Sequence, residues 1–326
     1  MRIFQTLQIA MLGIAMCVQP ATAQVANSLS KPIRLIVPFA AGGPTDAAAR
    51  AVGEGLSRAL GQSVIVENKP GANTIIGASA CKAAAPDGQT FCIFLNDTVT
   101  INPSVYSKLP YDSDRDFVAV ASLVGIESAI VVTADVPVSN LKELAQFDAA
   151  NPGKLNWGTF GIGSSAHLYL GQANRALNTR INHVPYAQGG AAVVSGLMSG
   201  DIQSTMLSYG LVNQWIQKGK LKAIAVIGES RSPYFPNVHS VKEQGLGMSP
   251  RLWIGMFAPS GIPAAAVEQM NKAVNRILLD PAFQKQYLET QGLTPLVGTS
   301  QEFADRIRRD RAEWAAVASA TNVRLD

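Results

Sequence analysis

Two glycine-bearing turns hold the residue types that could do chemistry. The first is Pro38-Phe39-Ala40-Ala41-Gly42-Gly43-Pro44-Thr45-Asp46, set between an apolar run and a helical pattern. Such a turn places backbone N–H groups beside a helix N-terminus, where unpaired donors and the helix dipole favour an anion. Asp46 competes with that reading, because its carboxylate, or the Thr45 hydroxyl, could simply cap the helix. The second is Gly158-Thr159-Phe160-Gly161-Ile162-Gly163-Ser164-Ser165-Ala166-His167. Residues 161–166 imitate a dinucleotide fingerprint, but about twenty residues on there is no acid for a ribose, only Ile181-Asn182-His183. Ser164 or Ser165 with His167 suggests a nucleophile and base, yet neighbours two or three apart seldom align for proton transfer, and no G-x-S-x-G elbow is present. What remains is serine hydroxyls and amides at a helix start, again suited to a carboxylate. The alternative is a serine cap with His167 as a hydrogen-bonded packing residue.

Other reactive side chains are few. His167, His183 and His239 fit no zinc spacing, and neither a metal nor a cofactor is expected. Cys81 and Cys92 stand eleven apart across Pro86-Asp87-Gly88, a separation that permits a bridge closing a helix-to-strand turn in an oxidising compartment and equally permits two free thiols.

The elements that must position these turns alternate strand and helix, which points to α/β layers with mostly parallel sheets. Strands are expected at 33–39, 63–67, 91–95, 118–124, 129–132, 221–227 and 253–257. Helices are expected at 45–60, 75–85, from about 139, after Pro263 and at 301–320, the last with Phe303, Ile307 and Trp314 on one side and Arg306, Arg308, Arg309 and Arg311 around the other.

Composition narrows the class. The first 23 residues have an early Arg2, an apolar stretch from Ile9 to Val18 and Ala21-Thr22-Ala23, the layout of a secretory signal cleaved near Ala23 and leading to the periplasm. The apolar stretch is about half the roughly 20 residues a membrane-spanning helix needs. Lipid attachment at Cys17 is the competing reading, opposed by bulky Met16 just before it. The 303 residues that follow exceed the roughly 250 to 300 at which one core stops growing, so two domains are expected. A mature net charge of +3 without a dense basic block gives nucleic-acid binding no support.

Two anion-ready turns, one in each half, make a cleft between lobes the natural arrangement. With no convincing acid/base pair beside them, binding without chemistry is the simpler function, and a secreted serine-dependent α/β hydrolase is the enzymatic alternative.

The motifs in order resemble the Bug family, TctC-like periplasmic solute receptors associated with tripartite tricarboxylate transporters. The matching pieces include Pro38 to Asp46, Glu67-Asn68-Lys69-Pro70-Gly71-Ala72, Ala85-Pro86-Asp87-Gly88, Ile101-Asn102-Pro103, Gly163-Ser164-Ser165-Ala166-His167-Leu168, His183-Val184-Pro185-Tyr186 and Ala258-Pro259-Ser260-Gly261-Ile262-Pro263. The resemblance implies a monomeric two-lobe Venus-flytrap fold with two crossovers, lobe one at 31–125 plus 250–326 and lobe two at 126–249. It implies capture of a small carboxylate by hinge closure near Gly125 and Pro250, for membrane permease subunits or, alternatively, a sensor protein. Carried over residue by residue, it nominates Phe39, Ala40, Gly42, Gly43, Asp46, Ala72, Asn73 and Thr98 in lobe one, with Ser164, Ser165 and His167 in lobe two. Two departures bear on the ligand. Relatives often read Gly-Gly-Asn where this chain has Asn73-Thr74-Ile75, and acids common in lobe two are replaced at Ile202-Gln203 and near Leu207-Ser208. Losing those acids disfavours an amino acid and points to a neutral-bodied or aromatic mono- or dicarboxylate.

Overall fold

A computed structural model describes residues 31–186, 189–247 and 251–325. The signal segment with Cys17, and Pro250 at the second expected hinge, lie outside the described residues.

The chain opens as the alternation predicts. Strand β1 (Ile33–Val37), helix α1 (Pro44–Leu60), β2 (Val64–Asn68), α2 (Ile75–Lys82) and β3 (Thr90–Leu95) follow one another, and β1 pairs in parallel with both β2 and β3. Two helical turns, Asp97–Ile101 and Asn102–Val105, lead to the long strand β4 (Phe117–Ile126). After Glu127 the chain enters a second sheet with β5 (Ser128–Thr133), α3 (Leu141–Ala150), β6 (Asn156–Thr159), α4 (Ser165–Leu177), β7 (Asn182–Pro185), α5 (Gly190–Ser199), β8 (Ser204–Ser208), α6 (Tyr209–Gln217) and β9 (Leu221–Val226). It returns to the first sheet with β10 (Trp253–Pro259), α7 (Ala264–Leu278), β11 (Leu293–Pro295) and α8 (Ser300–Thr321).

The result is a six-stranded sheet ordered β11-β4-β10-β3-β1-β2 and a five-stranded sheet ordered β7-β6-β8-β5-β9. Most strands of each sheet run the same way, as expected, and a few are reversed. β1, β2, β3 and β4 point one way, as do β6, β7, β8 and β9 in the other lobe. The reversed strands are β5 and β10, the first strand after each crossing, together with β11. A chain that crosses leaves one lobe from the cleft end of its sheet and must enter the other from the cleft end, so the entering strand runs backwards.

Both faces of the first sheet are covered, and its strands read accordingly. In β1, Leu35 and Val37 enter a core with α1, while Ile36 packs on the opposite face with Cys81, Cys92 and Phe94. Helix α1 presents Ala48, Ala49, Val52 and Leu56 inward. It approaches α7 so closely that a Cβ on Gly55 would lie 2.7 Å from Ile277 Cγ2. Cys81 and Cys92 are joined as a disulfide that staples α2 to β3. The C-terminal helix buries Phe303, Ile307 and Trp314 as its pattern requires, and starts at a capping box between Thr299 and Glu302. On its far side α8 also meets lobe two, with Trp314 edge-on to Tyr169 at 5.6 Å and Arg175 donating to the Ala320 carbonyl.

Candidate functional site

The loop after β1 is held by a carboxylate that does not cap its own helix. Gly43 is the N-cap of α1, no side chain caps it, and Pro44 supplies the first helical residue, whose missing N–H costs nothing there. Neither Thr45 nor Asp46 acts as the cap, since both already lie inside the first turn. Asp46 turns back into the loop: Oδ2 accepts from Gly42 N at 3.0 Å and from Arg50 Nε at 2.9 Å, and Oδ1 accepts from Asn68 Nδ2 at 2.9 Å. Asn68 Nδ2 also donates to the Phe39 carbonyl, and Asn68 Oδ1 accepts from Arg50. Burial would push the Asp46 carboxyl up, but hydrogen bonds from Arg50, Asn68 and Gly42 outweigh it and hold the group below the usual range. One ionised side chain thus fixes residues 39–46 from beneath. Asn68 belongs to the Glu67-to-Ala72 motif, in which its type alone assigns it no role.

Phe39, Ala40 and Gly43 face a cavity of about 70 Å3 between the two sheets. Its first-lobe wall also includes Pro44, Thr45 and Leu95, and the second lobe contributes Phe160, Met206, Leu207 and Leu211. No charged side chain lines it among the described residues. Gly42 and Asp46 stand behind this wall and shape it. Sequence reasoning missed Gly189, Gly190 and Ala191, which bring the N-terminus of α5 to the cavity. The signal was there: a Gly-Gly pair follows a strand and opens a helix at 189–190, as at 42–43.

The expected lobe-two turn is spoken for by the protein itself. Ser164, the residue before α4, donates its hydroxyl to the Gly161 carbonyl and makes no side-chain cap. The Ser165 amide, the donor aimed out of the helix start, meets Asp97 Oδ2 from lobe one at 2.8 Å. His167 Nδ1 accepts from Gly163 N at 3.1 Å, and its ring stacks on His183 with centroids 3.9 Å apart. Burial lowers the His167 pKa, and burial with the neighbouring His167 takes His183 down to about 4, so both rings are neutral near pH 7.

Ala72, Asn73 and Thr98 gather on the lobe-one side of this second contact. Ala72, Asn73 and Thr74 all have positive φ, at 46°, 46° and 74°, a run that glycine adopts without strain and other residues do not. Hydrogen bonds hold it: Asn73 Nδ2 donates to Asn102 Oδ1, Asn102 Nδ2 donates to the Asn73 carbonyl, and Thr98 Oγ1 donates to Thr74 Oγ1. Gly163 of lobe two packs against Asn73, Val105 and Leu325.

The model of the tripartite tricarboxylate transporter family receptor, TctC, matches residues 48–323. The chain belongs to that family. A UPF0065 protein of Bordetella pertussis is 34% identical to this TctC-type receptor over 290 residues, covering 89% of each chain. The periplasmic binding protein BugD superposes with a TM-score of 0.83 at 30% identity, covering 90% of this chain and 99% of its own. An R. palustris protein solved with adipate gives 0.84 at 27% identity, covering 89% and 97%. The two-lobe flytrap architecture and the role of solute receptor follow for this chain. The hydrolase alternative falls with them, and the geometry agrees: in this TctC-type receptor the Ser164 hydroxyl is bonded to the Gly161 carbonyl and the His167 ring to the Gly163 amide, not to one another.

Proposed function

We propose that this receptor works in the periplasm, binds a small carboxylate between its lobes and presents the closed form to the permease subunits of a tripartite tricarboxylate-type transporter. The observation that carries the reading is the 39–46 loop. It brings the uncapped N-terminus of α1 to a cavity that no charged side chain lines among the described residues, and the Asp46–Arg50–Asn68 network pre-forms it, so little ordering is left for the ligand to drive. Phe39, Ala40 and Gly43 supply the backbone around the carboxylate, and Asp46, bonded to the Gly42 amide, organises them from behind. Ala72, Asn73, Thr98, Ser164, Ser165 and His167 act at the adjoining contact that forms when lobe one, 31–125 plus 250–326, closes on lobe two, 126–249. The family match supports the transporter partnership, and the adipate complex of a relative supports the ligand class.

The apolar wall, without an acid to meet an ammonium group, favours a neutral-bodied or aromatic ligand. Titration calorimetry with mono- and dicarboxylates and with amino acids tests this: binding of carboxylates is expected, and tight amino-acid binding with no carboxylate affinity overturns it. The Asp46→Ala variant is expected to bind about tenfold more weakly while remaining folded, since hydrogen bonds to a charged group contribute roughly 1.5–3 kcal/mol. A sharply lower melting temperature with unaltered affinity of the folded fraction would reduce Asp46 to a structural brace.

A further inference from the structure

The cavity wall facing the 39–46 loop contains two buried hydroxyls that no described residue bonds. Ser128 opens β5 and Ser208 closes β8, and the two are direct register partners, so their side chains leave the same face of the second sheet. They are 1% and 6% exposed, both line the cavity, and neither Oγ has a hydrogen-bond partner among the described residues. Ser208 is also the N-cap of α6 without making a side-chain cap. Leaving a buried hydroxyl unpaired costs roughly 1–3 kcal/mol, so such a pair on a cavity wall needs an explanation. Beside them the ten-residue helix α5 starts at Gly190, no side chain caps it, and its first residues Gly190 and Ala191, whose amides have no partner within the helix, line the same cavity.

We infer that Ser128 and Ser208, with the α5 N-terminus, form a distal reader that selects carboxylates carrying a second oxygen group at the end away from the 39–46 loop. This rests on the carboxylate reading above. The reader is uncharged, so the feature it recognises is a hydrogen-bond-accepting oxygen, whether a hydroxyl or a second carboxylate. Phe160, Met206 and Leu211 accommodate the apolar body that joins the two ends. A ligand ending in a methyl group would leave both hydroxyls unpaired, and sites built to bond an oxygen reject analogues lacking it.

Calorimetry on the full mature chain tests this with two matched sets: hexanoate, 6-hydroxyhexanoate and adipate, and benzoate, 4-hydroxybenzoate and terephthalate. In at least one set the wild type is expected to bind an oxygen-ended member about tenfold or more tighter than the plain one. The hydroxy acid and the diacid separate the two sources of the distal oxygen. In the Ser128→Ala/Ser208→Ala variant the gap is expected to shrink to about threefold or less, with affinity for the plain acid retained. Because the substitutions remove unpaired polar atoms, the ligand-free melting temperature should not fall, and the single Ser208→Ala variant gives the same readout if the double one fails to fold. A wild type that binds plain and oxygen-ended acids alike, or a preference that survives the double variant, overturns the inference. Failure of all six acids to bind overturns the carboxylate reading itself and this inference with it.

Discussion

A carboxylate taken fully out of water keeps its charge only if donors replace the water. Asp97 is completely buried, receives the Ser165 amide on Oδ2 and has no hydrogen-bond partner for Oδ1 among the described residues. Burial pushes its pKa up to about 6, against the pull of the bonds from Ser165. A folded pKa above the unfolded one means that the protonated form favours the native state. That contribution is complete below the ordinary carboxylate value and is lost as pH rises through about 6. At about 1.4 kcal/mol per pH unit, the span between the two values is worth on the order of 3 kcal/mol. Asp97→Asn retains an acceptor for the Ser165 amide and does not titrate. The difference in urea-unfolding free energy between wild type and variant is therefore expected to shift against the wild type by that order between pH 4 and pH 7. A pH-independent difference would show that Asp97 titrates normally. Nothing in the sequence around Ser164 and Ser165 disclosed this partner, because Asp97 lies 68 positions away and in the other lobe.

Elements were the most legible level. The β-branched runs at 33–37 and 128–133 and the apolar stripe of α8 form close to their expected bounds, because short strands buried on both faces and amphipathic helices leave strong periodic signals. Caps were less legible. Thr45 and Asp46 are good capping residues by type, but Pro44 starts the helix one residue earlier and frees Asp46 for the loop. Serines make the turn at 164–165 conspicuous in the sequence, while the lobe-two helix start that lines the cavity is α5, whose glycines announce a turn without naming its use. The Cys81–Cys92 bridge was open on sequence alone, since separation permits a bond without requiring the side chains to meet. It closes a short loop, for which the chain-entropy model gives about 3 kcal/mol. Cys81→Ala/Cys92→Ala is expected to lose about that much unfolding free energy by urea titration while ligand affinity is unchanged, since both sulfurs sit in a core behind the loop. A loss of affinity at constant stability would mean that the staple positions α2 for binding.

For the whole molecule, two lobes were legible from length and from the paired turns, while the reversed strands at the crossings were not. Chain direction in a sheet is set by where the chain enters, which local periodicity does not record. Ligand contacts from both walls of one cavity exist together only when the lobes are closed, so closure should follow binding. Small-angle scattering is expected to show a smaller radius of gyration at saturating ligand than without it. An unchanged profile would mean that the lobes are held together regardless, with the Asp97–Ser165 and Trp314–Tyr169 contacts as the reason.

The loop fixed by Asp46 and Asn68 has a bearing on how such receptors can be reprogrammed. On the function proposed above, its grip on an anion comes from peptide groups, and the side chains of Asp46 and Asn68 that shape it do not line the cavity, so substitutions on the opposite wall are expected to leave it untouched. A biosensor built on this scaffold could therefore keep one half as an invariant handle and randomise only the second-lobe wall, with the separation between the lobes serving as the optical readout.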